Sequence, residues 1–100
     1  MSENVKIISP VDGSVYAERP IASDAEIKAA LSGARAALPE WKAVSVQERA
    51  RYMLAFLDAL LAMNDDIAVE LAWQMGRPVR YGGEKGGVEE RIRAMATLAE

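Results

Sequence analysis

Apolar residues in the middle of the chain recur at spacings of three and four. Val46, Ala50, Met53, Leu54, Leu57, Leu60 and Leu61 form one broad apolar face over residues 45–63, the periodicity of an amphipathic helix. Ser45-Val46-Gln47-Glu48 opens that helix as a capping box, with hydroxyl and carboxylate each able to satisfy an orphan backbone donor. A second helix follows over residues 64–76, with Asn64 as its cap and Ile67, Ala68, Leu71, Ala72 and Met75 inward. Gly76 stands where a left-handed C-terminal cap is wanted, and Pro78 prevents the helix resuming. Upstream, Ser23-Asp24-Ala25-Glu26 is a second capping box. It opens a helix over residues 23–38 whose Ile27, Ala30, Leu31, Ala34 and Leu38 share a face, and Pro39 is expected to close it. Trp41, just beyond, reads as a core anchor filling the gap between these helices.

The chain's two ends follow other patterns. Val5-Lys6-Ile7-Ile8 is a β-branched run, and Ser9-Pro10-Val11-Asp12-Gly13 is a dense turn signal. Residues 14–19 then alternate, with Val15 and Ala17 opposite Tyr16 and Glu18, which predicts an antiparallel hairpin over residues 5–20. Pro20 lacks a ladder donor and marks the strand's end or an edge. Residues 77–87 carry two glycine pairs, Gly82-Gly83 and Gly86-Gly87. Their spacing fits neither G-x-G-x-x-G nor G-x-x-x-x-G-K-[ST], so they read as a flexible connector rather than a phosphate cradle. Val88, Ile92, Met95 and Ala99 mark a last helix over residues 87–100. It has no stop signal at Glu100, so it is expected to continue past the end.

Composition narrows the picture. One hundred residues with 51% hydrophobic content amount to a single domain's worth of foldable chain, here read as one partial domain. A net charge of −3 supplies no basic face for nucleic acid. No apolar run reaches the ~20 residues that span a bilayer, and Met1-Ser2-Glu3-Asn4 is unlike a signal peptide. The absence of cysteine fits a reducing, cytoplasmic setting. Histidine is absent too, so thiol chemistry, imidazole acid–base work and the usual zinc sites are excluded. Asp65 and Asp66 fall in a helix's first turn, where negative charge is favourable. Glu89, Glu90, Arg91 and Arg93 read as a solvated mixed-charge face, and Arg77, Arg80 and Lys85 are too sparse for a nucleic-acid track. By itself this chain holds no catalytic constellation.

Four segments, taken in order, resemble the N-terminal part of the NAD(P)-dependent aldehyde dehydrogenase superfamily. They are Ser9-Pro10-Val11-Asp12-Gly13-Ser14-Val15, the alanine-rich stretch from Ile27 to Pro39-Glu40-Trp41, Ser45-Val46-Gln47-Glu48-Arg49-Ala50-Arg51, and Met75-Gly76-Arg77-Pro78. Ser9 stands where the family more often has asparagine, and Arg77 where it has lysine. The resemblance implies an α/β protein with a Rossmann-like coenzyme domain, of which these residues supply an N-terminal β-hairpin followed by about four α-helices. It implies oxidation of a small-molecule aldehyde to a carboxylic acid through a cysteine thiohemiacetal and thioester, with NAD or NADP as acceptor. None of the catalytic or coenzyme-binding residues falls in this chain, which is expected to be inactive alone and to bind no coenzyme. Its partners would be the remainder of the chain and further copies in a homodimer or homotetramer. Two weaker correspondences carry over. Ile8 and Gln74 occupy positions that hold a monovalent cation in some members, Gln74 lacking the usual charge. Gly87 and Arg91 fall near the mouth of the substrate tunnel. The competing expectation is a standalone helical interaction module derived from this segment, with Ile92, Met95 and Leu98 covered internally or by a symmetric partner.

Overall fold

The computed structural model describes residues 3–99. Strands β1 (Asn4–Ile8) and β2 (Val15–Pro20) pair as an antiparallel hairpin. Helices α1 (Asp24–Ala43), α2 (Val46–Ala62), α3 (Asn64–Met75) and α4 (Lys85–Thr97) follow, with a 3₁₀ turn at Val79–Tyr81 between the last two. A hairpin and four helices is the architecture that the sequence predicts. Met1, Ser2 and the helix end expected at Glu100 lie outside the described residues.

The hairpin is not a regular ladder. Ile7 pairs with Ala17 and Ile8 with Val15, leaving Tyr16 without a partner as a β-bulge. Bulges re-aim a side chain, and here Tyr16 turns toward α3. The turn is closed by the Ser9 N–H to the Ser14 carbonyl at 2.8 Å and the Gly13 N–H to the Ser9 carbonyl at 2.9 Å. Gly13 supplies the positive φ of 76° that this closure requires. The Asp12 carboxylate accepts from the Ser14 hydroxyl and N–H, which hold its pKa below the usual carboxylate value.

Helix α1 begins as predicted. Ser23 Oγ accepts from the Glu26 N–H, and the Glu26 carboxylate accepts from the Ser23 N–H at 2.7 Å. It does not close at Leu38, however. Pro39 lies inside the helix, which runs on to Ala43. The missing Pro39 donor takes the helical partner from the Arg35 carbonyl, on a helix whose every residue is exposed and whose carbonyls water can reach. Trp41 is consequently helical, 42% exposed, and tilted against Tyr52 with ring centroids 5.6 Å apart. It is half of an aromatic pair at the surface, not a core anchor.

Further expectations change in α2, α3, the connector and α4. Ser45 caps α2 through the Glu48 N–H, but the Glu48 carboxylate turns to Arg51 at 2.9 Å, so the box is half formed. Asn64 is the first residue of α3 rather than its cap. It packs instead against Gly83, where a Cβ would lie 2.8 Å from Asn64 Oδ1. Met75, expected inward, is 61% exposed. The connector over residues 77–87 is pinned rather than free, by the 3₁₀ turn and by Arg77 to Glu84 at 2.7 Å. Helix α4 starts at Lys85, because Gly86 and Gly87 fit the first turn, where the Glu84 carbonyl accepts from Val88.

The core is small. Leu57 is fully buried and Ala68 nearly so, with half-buried Leu54, Leu60, Leu61, Ile67 and Leu71 around them. Helix α2 packs on α4 and meets α3, while α1 projects from the body with every residue exposed. The molecule measures 48 × 40 × 17 Å, so it is a single layer. Its radius of gyration is 18.0 Å, against about 13 Å for a compact chain of this length. Its accessible surface is 7985 Å², against roughly 5,600 Å² for a compact protein of this mass. Among the described residues, no helix is long and apolar enough to cross a membrane.

Candidate functional site

The most built part of the molecule is the junction of the hairpin turn with the C-terminal end of α3. Ser9 has no exposed surface. Its hydroxyl donates to the Trp73 carbonyl at 2.6 Å and accepts from the Val11 N–H at 3.2 Å. Pro10 packs toward Gly76, where a Cβ would come within 3.2 Å of the proline ring. With a φ of 74°, that glycine ends α3 as the sequence predicts, its N–H on the Ala72 carbonyl. The Tyr16 ring stacks on Trp73 at 6.5 Å and 7°.

The Tyr16 hydroxyl donates to the Glu70 carboxylate, which also accepts from Gln74 Nε2 at 3.1 Å. Those two hydrogen bonds, the phenol's foremost, hold the Glu70 pKa below the usual carboxylate value. The carboxylate in turn pushes the Tyr16 phenol above its ordinary value.

Ile8 and Gln74 are the chain neighbours of Ser9 and Trp73, which are directly bonded. What they offer is a backbone carbonyl and an amide, with the Gln74 amino group already donated to Glu70. Among the described residues, no three His, Cys, Asp or Glu side chains gather as a metal cluster. Gly87 and Arg91, one turn apart on α4, do come together. They line a shallow depression of about 350 Å³ with Glu84, Val88 and Ile92. Gly82 and Gly83 do not make a phosphate cradle: Gly83 is close-packed on Asn64, and Gly86 and Gly87 are helical.

Sequence reasoning missed Ser9, Tyr16, Glu70 and Arg49. The turn signal at Ser9 was plain, but no local pattern reports a partner 64 residues away. Arg49 and Arg91 face one groove of about 450 Å³ between the start of α2 and the end of α4, walled by Trp41, Met53, Ile92 and Met95. Chemically, these arrangements can position and dock. They hold no nucleophile paired with a base.

The whole chain, residues 1–100, matches the aldehyde dehydrogenase family. It is 30% identical over 101 residues to a mitochondrial methylmalonate-semialdehyde dehydrogenase (acylating) of Arabidopsis thaliana, covering 97% of this chain and 17% of that protein. It is 35% identical over 72 residues to an aldehyde dehydrogenase of Deinococcus radiodurans, covering 72% of this chain and 14% of the relative. A long-chain-aldehyde dehydrogenase of an Acinetobacter species is 37% identical over 73 residues, covering 73% and 14%. The chain thus spans between 14% and 18% of the length of such curated relatives. No solved structure matches it.

Proposed function

The chain belongs to the aldehyde dehydrogenase family, and from that premise we propose that it forms the N-terminal segment of an enzyme that oxidises an aldehyde to a carboxylic acid with NAD or NADP. Its own part is architectural. The hairpin and helices form a layer whose apolar faces pack on the rest of the polypeptide. The observation that carries this reading is a family match over all residues joined to a surface too large for a self-sufficient domain.

The remainder of the polypeptide would supply the nucleophilic cysteine and hold the coenzyme. This chain has no cysteine; of its glycine pairs, Gly83 is packed on Asn64 and Gly86 and Gly87 are helical. When bound, the coenzyme supplies the hydride acceptor. Ile8 with Gln74, and Gly87 with Arg91, would sit near the family's cation position and tunnel mouth. Assembly as a homodimer or homotetramer in the cytoplasm completes the reading.

Two measurements test it. The intact mass of the native gene product is expected to be several times the 10.9 kDa of this chain. A native product of 10.9 kDa would sink the reading. The 100-residue chain, mixed with NAD or NADP and an aldehyde, is expected to give no reduced coenzyme; turnover by the chain alone would equally overturn it.

A further inference from the structure

Four arginines sit where α2 meets α4, and they divide into two kinds. Arg51 pairs with Glu48 at 2.9 Å and Arg93 with Glu89 at 3.1 Å, and both line the groove on one side of the helix contact. Arg49 and Arg91 line the groove on the other side. Neither makes an ion pair among the described residues. Nε of Arg49 is buried without any hydrogen-bond partner, an arrangement that native proteins rarely leave unfilled.

The groove's walls restrict what can fill it. Trp41, Met53, Ile92 and Met95 make it apolar, so a purely polar ligand would leave those walls wet. A purely apolar occupant would bury two guanidinium groups with no counter-charge. An apolar surface that carries a carboxylate satisfies both. Its source follows from size. The chain leaves roughly 2,400 Å² more surface open than a compact protein of its mass, about three times what one partner gives to a standard interface, roughly 800 Å². The Arabidopsis relative has more than four-fifths of its length outside the matched segment.

We propose that this groove docks an apolar stretch of the enzyme's own polypeptide, outside residues 1–100, which presents a carboxylate to Arg49 and Arg91. This rests on the reading of the chain as part of a larger dehydrogenase. Docking there ties α4 to α2 through a buried ion pair and fixes the helix that carries Gly87 and Arg91.

The test uses two dyes on the 100-residue chain, the anionic one read by energy transfer from Trp41 in a Trp73→Phe background and the neutral one by its own emission. Anilinonaphthalene sulfonate is an apolar anion, and Nile red is apolar and neutral. Replacing both Arg49 and Arg91 by Gln is expected to weaken the anionic dye on the order of tenfold while Nile red stays within about twofold. Arg51→Gln with Arg93→Gln, on the opposite groove, should leave both unchanged. Where the glutamine variant loses both dyes, Arg49→Lys with Arg91→Lys decides: recovery of the anionic dye supports the charge role, and no recovery overturns it. Equal binding of the anionic dye to chain and glutamine variant overturns the proposal but leaves the architectural reading standing. Failure of the wild-type chain to bind either dye overturns both. In the whole gene product the groove should exclude the dyes; undiminished transfer there, or a discrete dimer of the chain that Arg49→Glu dissociates, would show that the occupant is not the enzyme's own polypeptide.

Discussion

Serine in a turn usually faces water, yet Ser9 is fully buried and uses its hydroxyl twice, toward the Trp73 carbonyl and from the Val11 N–H. Ser9→Ala leaves both groups unpaired, and the expected loss is about 1–3 kcal/mol, read from the urea midpoint. Tyr16 and Glu70 give the same junction a pH dependence with two signs. The Glu70 pKa is depressed in the folded state. Its contribution is therefore full above the ordinary carboxylate value and disappears as pH falls through the depressed one. The Tyr16 pKa is raised, so its contribution is full below the ordinary phenol value and disappears as pH rises through the raised one. Stability should be flat around neutrality and fall at both extremes. Tyr16→Phe keeps the stack on Trp73 and, in a series of urea melts against pH, should make the acid limb shallower, since Asp12 and Glu26 share it, and remove the phenol's part of the alkaline one; unchanged limbs would mean that the hydrogen bond does not couple the hairpin to α3. None of this could be read along the chain. Alternation put Tyr16 on the face of Glu18, and only the bulge between Ala17 and Val15 separates it from that series.

Helices were legible in the sequence where their cause is local. Ser23, Ser45 and Gly76 act at the ends that their side chains or φ values specify. The boundaries that moved depend on what surrounds them. Proline is a strong stop in a buried helix, but α1 is exposed throughout and continues to Ala43. Pro39→Ala should restore the bond to Arg35 and remove the ring clash, raising helix content and stabilising α1 by up to about 3 kcal/mol. Circular dichroism decides this, and an unchanged helical signal would mean that the helix already frays before residue 39. Periodicity likewise names an apolar face without saying what covers it. Ile27, Leu31 and Leu38 repeat at helical spacing, and each is about half exposed.

At the scale of the whole molecule, a 17 Å layer buries little when it folds. An unfolded chain of this mass exposes roughly 16,000 Å², so folding to the observed surface hides about a quarter less than folding to a compact domain would. The urea dependence of the unfolding free energy scales with the surface exposed. The isolated chain should therefore show an m-value about a quarter below that of compact 100-residue proteins, with Leu57→Ala the most damaging core truncation, at about 2–5 kcal/mol. Both follow from geometry alone, because among the described apolar residues Leu57 alone is fully shielded from water and Ala68 nearly so. A steep, ordinary m-value would mean that α1 folds back over the α2–α4 faces in solution, and the free surface on which the architectural reading depends would be gone.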